Sequence, residues 1–192
     1  MKAQYKNAIQ NEKNIFSAYL TLLMERGKRF TVTDIVKLSN INRGTFYLHF
    51  ENIEAVGKAI EEDLAQNYKI LEQSFRMSDI VASPEIIVNM FNEILIKDLP
   101  YYKLLANVAT TQNLVEKIKL SVFKLISNNF TIMKYVMNYE RFKIVVQYLV
   151  SGTLETYIDW LKGSIDYSIE ELSKVVCQLI KGGLKGHLIN AY

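Results

Sequence analysis

Residues that break helices are scarce in this chain, and that scarcity limits the folds open to it. Only 2 prolines and 8 glycines occur among its 192 residues, whereas β-sandwiches and barrels need frequent turn signals. Apolar residues instead recur every three or four positions through most of the chain, the spacing that places them on one face of a helix. We therefore predict an all-α fold.

The segment between Gly27 and Asn52 predicts two short helices joined by a tight turn, as in a helix-turn-helix. Gly27 is a typical helix stop, and Thr31 and Asn42 are typical caps for the two helices that follow. Such short helices are not stable alone, because helix nucleation is costly. Five apolar side chains are placed to hold them against the first helix: Ile35, Leu38, Ile41, Phe46 and Phe50.

Longer helices are predicted downstream from the same apolar spacing. A fourth helix runs from Ile53 to about Phe75 without a breaker. Ser83 and Pro84 start another helix, and Ser168 begins the last one with a capping box. The chain thus divides into an N-terminal region of short helices and a larger helical body.

Charge is unevenly distributed along the chain, although its net value is only +3. Residues 1–50 carry eight Lys and Arg against three Asp and Glu, and the remainder carries fifteen against seventeen. A basic N-terminal quarter predicts contact with a polyanion. Taken alone, the charge is explained equally well by a solvated, lysine-rich face.

Outside its buried face, the third predicted helix carries a mixture of side chains suited to DNA. Arg43 can donate two hydrogen bonds to guanine in the major groove. Gly44 lets the backbone come close to DNA, at a cost of about 1 kcal/mol in helix propensity. Thr45, Tyr47 and His49 carry donors for phosphate oxygens, and the two helix starts add backbone N–H groups.

The stretch FTVTDIVKLSNINRGTFYLHF, residues 30–50, resembles the DNA-binding domain of the TetR/AcrR family of transcriptional regulators. The likeness covers roughly residues 7–58. It implies a DNA-binding domain over residues 1–52 and a helical regulatory and dimerisation domain over residues 53–192. It also implies base contacts from residues 43, 44 and 48. The full predicted DNA-binding set is Thr31, Thr33, Asn42, Arg43, Gly44, Thr45, Tyr47, Leu48 and His49.

The sequence departs from the family pattern at two places. The turn reads Ser-Asn-Ile-Asn instead of Ala-Gly-Val-Ser, and Asn40 tolerates a left-handed backbone there. Ile53 stands where the family usually has a lysine that contacts phosphate. We therefore expect weaker anchoring to the DNA backbone, unless Lys58 or the bare helix start replaces that contact.

For the body, the resemblance implies dimerisation and an effector. The helix over about 139–162 is apolar on more than one side, as expected for a helix that meets a second subunit, and the helix over about 168–185 offers further apolar residues. The predicted interface comprises Leu149, Gly152, Thr156, Trp160, Val176, Leu179 and Ile180. The predicted effector pocket comprises Met90, Phe91, Tyr102, Phe123, Met137 and Tyr148. A monomer with a large core would explain the apolar faces, and core packing would explain any single pocket residue.

These features predict a cytoplasmic, homodimeric transcriptional regulator, a repressor that binds a pseudo-palindromic operator in double-stranded DNA. A small-molecule or protein effector would release it by shifting the fourth helix. The alternative is a helical protein-interaction module that no longer binds DNA specifically. Slight support for this comes from Ile53, while the basic N-terminal region speaks against it.

Catalysis, cofactors and membrane insertion find no support in the sequence. No phosphate-binding loop or nucleophile motif occurs, so no enzyme is predicted. Cys177 is the only cysteine, and the two histidines lack metal-ligand spacing, so neither a metal site nor a cofactor is predicted. The first residues lack a signal-peptide pattern, and no apolar run is long enough to span a membrane.

Overall fold

The computed structural model describes residues 2–74, 83–108, 112–127, 136 and 138–185. Across these ranges the chain folds into nine helices, and the all-α prediction is confirmed. Their bounds are α1 (Lys2–Arg26), α2 (Val32–Leu38), α3 (Arg43–His49), α4 (Ile53–Ser74), α5 (Pro84–Lys97), α6 (Leu99–Ala106), α7 (Gln112–Ser127), α8 (Tyr139–Leu161) and α9 (Ile169–Leu184). No helix in the described ranges is long and apolar enough to cross a membrane.

Three helices begin at the caps predicted for them: α2, α3 and α9. Thr31 and Asp34 form a reciprocal capping box at α2, and Ser168 forms another at α9. The side-chain oxygen of Asn42 accepts the backbone N–H of Thr45 at 2.7 Å and starts α3. Gly27 ends α1 with a positive φ of 59°, a conformation that a residue without Cβ adopts at little cost.

Ser83 differs from its prediction as a side-chain cap. Its hydroxyl makes no capping hydrogen bond and instead donates to the Glu85 carboxylate at 2.6 Å. That carboxylate also pairs with Lys181 of α9. The hydrogen bond from Lys181, followed by that from Ser83, lowers the pKa of Glu85 to about 2. Proline at the first helical position therefore starts α5 without a serine cap.

Two compact units make up the chain. The first comprises Met1–Gln66 and Pro100–Thr111, and the second comprises Asn67–Leu99 and Gln112–Tyr192. The division between the two units falls inside α4, because the first half of α4 is built into the core of the first unit. Three of its side chains are buried there: Val56, Ile60 and Leu64.

The core of the first unit holds the two short helices in place, with α1 packing against both α2 and α3. Phe46 is fully buried, and the ring of Phe50 lies between it and Phe16 of α1, with ring centroids 6.1 and 5.9 Å apart. Ile35 is also fully buried. The anchoring predicted for these phenylalanines and for Ile35 is confirmed.

Leu38 does not anchor the pair as predicted, because its side chain is 50% exposed. The buried neighbour is Ser39, whose hydroxyl donates to the carbonyl of Ile35 at 2.7 Å. A serine can be buried at this helix end because its polar group is satisfied within the same turn. Ile41 is half-buried.

Helix α4 approaches α1 closely at Gly57. A Cβ at this position would lie 2.8 Å from the hydroxyl oxygen of Tyr19, a distance that real Cβ contacts do not reach. The ring of Tyr19 also packs edge-on against Phe30, with centroids 5.5 Å apart. Tyr19 therefore touches both the start of α4 and the segment that leads into α2.

The second unit is built around α5, α8 and α9, with α7 packed on α8. Its core contains a buried polar network in which the Tyr157 hydroxyl donates to Asn92 at 2.6 Å and the Asn92 amide donates to Ser173. Ser173 in turn donates to the carbonyl of Ile169. This network joins one side chain from each of the three central helices, so it fixes their register.

Because Gly57 and Tyr19 are in such close contact, their substitutions should be energetically coupled. We expect Gly57→Ala to destabilise the protein, and to do so by about 1–3 kcal/mol less when Tyr19 is also replaced by Phe. Helix propensity cancels in this cycle, since it is the same in both backgrounds. Urea unfolding of the four proteins measures the coupling, and purely additive effects would contradict the contact.

The cap of α3 should be separable from the charge at its start. Asn42→Ala should lower the free energy of unfolding by about 1 kcal/mol, because the Thr45 N–H loses its acceptor. Asn42→Asp should leave stability near the wild-type value, since aspartate caps a helix as well as asparagine does. Chemical denaturation tests both variants, and an equal loss for Asp and Ala would show that the cap is not the relevant interaction.

Candidate nucleic-acid interface

The turn between α2 and α3 is tight and depends on one asparagine. Asn40 has φ of 54°, in the left-handed region, as its sequence predicted. The N–H of Ile41 then donates to the carbonyl of Val36 at 3.2 Å and closes the turn. Asn42 follows in an extended conformation and caps α3. The orientation of α3 relative to α2 is therefore set by the turn residues Asn40 and Ile41 and by the cap at Asn42.

Helix α3 has one buried face and one free face. Phe46 faces the core, whereas Arg43 and Gly44 are exposed and Leu48 is 86% exposed. Tyr47 is also exposed, and its ring meets that of Phe46 edge-on. An exposed leucine does not stabilise the fold, because it buries no apolar surface. Beside an arginine, it is suited to a groove that offers both apolar and hydrogen-bonding groups.

The remaining predicted contacts lie around that face. Thr31, Thr33 and Asn42 are exposed, whereas Thr45 and His49 are half-buried. The structure therefore brings the predicted set to the surface of a single helix pair and its turn. These side chains differ in whether their hydrogen-bond donors are already used within the protein.

Two predicted phosphate donors already donate within the protein. The hydroxyl of Thr31 donates to the Asp34 carboxylate at 2.7 Å, and that of Thr45 donates to Asn42 at 3.0 Å. Of the backbone donors at the two helix starts, the N–H groups of Asp34 and Thr45 are bound by the caps. Thr31 and Thr45 would have to exchange an internal hydrogen bond for a phosphate.

Gly44 has a structural role that the sequence did not reveal. A Cβ at this position would lie 3.2 Å from the side-chain oxygen of Asn42. That oxygen carries the cap of α3, so any side chain at residue 44 would press on the cap. The absence of a side chain at Gly44 thus serves helix capping as well as close approach of a ligand.

A single acidic residue on α2 is neutralised internally. Asp34 accepts the Thr31 hydroxyl and backbone N–H, and it pairs with Arg26 at 3.3 Å. The Thr31 hydrogen bonds, and then Arg26, hold the pKa of Asp34 below its usual value. The carboxylate therefore stays ionised and occupied, and its charge is compensated by Arg26.

Among the residues that the structure describes, no unpaired cation lies at the start of α4. Asn52 caps the helix by accepting the N–H of Ala55 at 2.8 Å, and Ile53 is half-buried. Glu51 and Glu54 are exposed beside it. Lys58, offered as a substitute for the missing lysine, is engaged with a glutamate on the next turn. This end of the surface is acidic.

In the second unit, the predicted dimer residues divide into exposed and buried groups. Gly152 and Leu179 are exposed, and Thr156 and Trp160 are half-buried. Val176 is only 2% exposed, so it belongs to the core of the unit and not to an outer face. Two more residues pack against core neighbours: Leu149 and Ile180.

Three exposed apolar residues were not assigned to the interface by the sequence analysis: Ile144, Tyr148 and Val175. Ile144 and Tyr148 on α8 are spaced four residues apart and are exposed, as are Val175 and Leu179 on α9. Residues four apart share a helix face. Their burial could not be ranked from sequence, because α8 is apolar on several sides.

The described residues of the predicted effector pocket divide between the two units. Tyr148 is 78% exposed, and Tyr102 belongs to the first unit, whereas Met90, Phe91 and Phe123 lie in the second. The ring of Phe91 packs edge-on against Tyr157 in the core. Met137 lies outside the described residues.

A groove of about 670 Å³ lies between α5 and α9, lined by none of the predicted pocket residues. Asn92, Ser173 and Cys177 form buried parts of its wall, and charged side chains border it. Burial raises the pKa of the Cys177 thiol, so the thiol is a poor nucleophile. Among the described residues, no group of three or more His, Cys, Asp or Glu side chains could hold a metal ion.

Solved structures share this fold at low sequence identity. The fatty acid degradation regulator FadR from Bacillus halodurans has a TM-score of 0.62 and 19% identity, over 92% of this chain and 97% of its own. A transcriptional regulator from Aquifex aeolicus VF5 has a TM-score of 0.61 and 19% identity, over 89% of this chain and 98% of its own. A TetR-like regulator from Rhodococcus sp. RHA1 has a TM-score of 0.61 and 16% identity, over 92% and 96%.

Family membership rests on a sequence match. No curated protein matches the chain. Residues 82–182, however, match the model of the TetR transcriptional-regulator C-terminal region. That match spans more than half of the chain, and the helix-turn-helix lies outside it, so the two similarities are independent. The chain belongs to the TetR family of transcriptional regulators, a family that is regulatory and not catalytic.

Proposed function

We propose that this regulator is a repressor that binds double-stranded DNA by placing α3 in the major groove. The observation that carries the proposal is the free face of α3, where Arg43, Gly44 and Leu48 are exposed opposite the buried Phe46. Arginine can donate two hydrogen bonds to guanine, and an apolar side chain can contact the thymine methyl group. Residues 1–52 would then form the DNA-binding domain, and residues 53–192 the regulatory domain.

Phosphate contacts would flank these base contacts. Tyr47 and His49 border the exposed face, and Thr33 lies on α2 with its side chain exposed. Thr31 and Thr45 would join only by giving up their hydrogen bonds to Asp34 and Asn42. Such contacts set the register of α3 on the duplex and carry no sequence information themselves.

We further propose that two copies act together on a pseudo-palindromic operator in the cytoplasm. The exposed apolar residues of α8 and α9 support this, since Ile144, Tyr148 and Leu179 would be covered in a two-fold contact. Two α3 helices about 34 Å apart would enter successive major grooves. A monomer at concentrations that saturate the operator, measured by sedimentation, would contradict the dimer.

A small-molecule or protein effector would switch the repressor through α4. This helix contributes residues to both compact units, so a change in one unit reaches the other along a continuous helix. Within the first unit it approaches Tyr19 closely at Gly57. We expect an effector that releases DNA to alter the separation of the two α3 helices, measured between spin labels. An unchanged separation would contradict this step.

Arg43→Ala tests the base contact directly. We expect binding to the operator to weaken by about 1–3 kcal/mol, with relaxed preference at one base position. Lys97→Ala is the control, because Lys97 is exposed on α5, away from the proposed dimer residues, and its loss removes the same single positive charge. Competition binding against operators mutated at each position gives the readout.

Two outcomes would count against the proposal. Equal weakening on all sequences would make Arg43 a phosphate contact instead of a base contact. No specific DNA binding by the folded wild-type dimer would favour the alternative, a helical protein-interaction module that uses the exposed Leu48 and Tyr47 as a contact surface.

A further inference from the structure

The turn between α1 and α2 carries positive charge that the predicted DNA-binding set does not include. We call residues 26–29 the basic turn; it has the sequence Arg-Gly-Lys-Arg. Its three basic side chains are exposed. With Glu25, the turn lines a shallow hollow on the surface of the first unit.

Two cations of the basic turn are available to an outside partner. Arg26 is engaged with Asp34 at 3.3 Å. Within the part of the chain that the structure describes, neither Lys28 nor Arg29 has a carboxylate within ion-pair distance, Glu25 included. Exposed, unpaired Lys and Arg side chains next to each other are the usual electrostatic footprint of a phosphate backbone.

The start of α4, which follows the helix pair in the chain, has the opposite charge. The start of α4 presents Glu51 and Glu54 to solvent. Its first basic residue, Lys58, pairs with Glu62 at 3.7 Å. A DNA backbone that ran along the start of α4 would meet two carboxylates, whereas one along the basic turn would meet two free cations.

The basic turn also lies next to predicted contacts that are short of donors. Arg29 is two residues from Thr31, so their Cα atoms are at most about 7.6 Å apart. The Thr31 hydroxyl is already committed to Asp34. Charge from Lys28 and Arg29 would reach the same stretch of backbone without breaking a capping interaction.

From this charge arrangement we propose that the basic turn binds DNA phosphates through Lys28 and Arg29. These phosphate contacts then come from the α1–α2 turn and not from the start of α4. The proposal rests on the DNA-binding function proposed above and adds to it the segment that makes the electrostatic contact. Each contact releases a counterion when DNA binds.

The test is the salt dependence of operator binding by the full-length dimer with Lys28→Ala and Arg29→Ala combined. The slope of log K against log salt should become shallower by about 0.9 for each lost contact, or about 1.8 per protomer. Operator and unrelated DNA should weaken by the same factor, because phosphate contacts do not read sequence.

Two controls separate this surface from general charge. Lys97→Ala combined with Lys162→Ala removes the same charge from exposed sites in the second unit, and Lys58→Ala removes charge from the start of α4. Both should keep the wild-type slope. A wild-type slope for the Lys28 and Arg29 variant, or equal changes in the controls, would overturn the proposal while leaving DNA binding intact. Absence of specific binding by the wild-type protein would instead overturn the proposed function itself.

Discussion

The burial of Phe46 and Phe50 against α1 is the interaction on which the rest of the first unit depends. Helices α2 and α3 have 7 residues each, too few to persist alone in water. Removing a buried phenylalanine costs about 3–5 kcal/mol, a large share of the 5–15 kcal/mol that stabilises a typical domain. The free face of α3 therefore exists only while its other face is held.

The polar side chains at the starts of α2 and α3 already form hydrogen bonds within the protein. Each short helix closes its own start, with Thr31 and Asp34 at α2 and Asn42 with Thr45 at α3. The hydroxyls of these two threonines are also the groups that would donate hydrogen bonds to DNA phosphates. Stability and binding thus compete for Thr31 and Thr45, whereas Arg43, Tyr47, Lys28 and Arg29 have no such conflict.

Local signals in the sequence were sufficient to predict the helices and the helix-turn-helix. Caps and stops act over three or four residues, so the starts at Thr31, Asn42 and Ser168 could be identified without tertiary information. Likewise, the i, i+4 spacing of Phe46 and Phe50 identified the buried face of α3. The predicted burial of Leu38 was wrong, because the neighbouring Ser39 is buried instead and its hydroxyl is satisfied by the carbonyl of Ile35.

The second unit could not be predicted to the same depth. Its polar network joins Asn92 to Ser173, 81 positions apart, and no local pattern reports such a pair. Apolar residues lie on several faces of α8, and in α9 both buried and exposed positions are apolar. The apolar spacing therefore did not identify the outer face of either helix. Val176 was therefore assigned to the interface although it is buried, and Tyr148 to a pocket although it is exposed. The groove between α5 and α9 was missed because its walls come from two segments that are far apart in the sequence.

The most direct test of the account is selection of sequences bound by the full-length protein from random double-stranded DNA. The account predicts an enriched inverted repeat whose half-site centres lie about 10 base pairs apart, as two α3 helices in successive major grooves require. Enrichment of a single half-site, of a direct repeat, or of no sequence at all would contradict it.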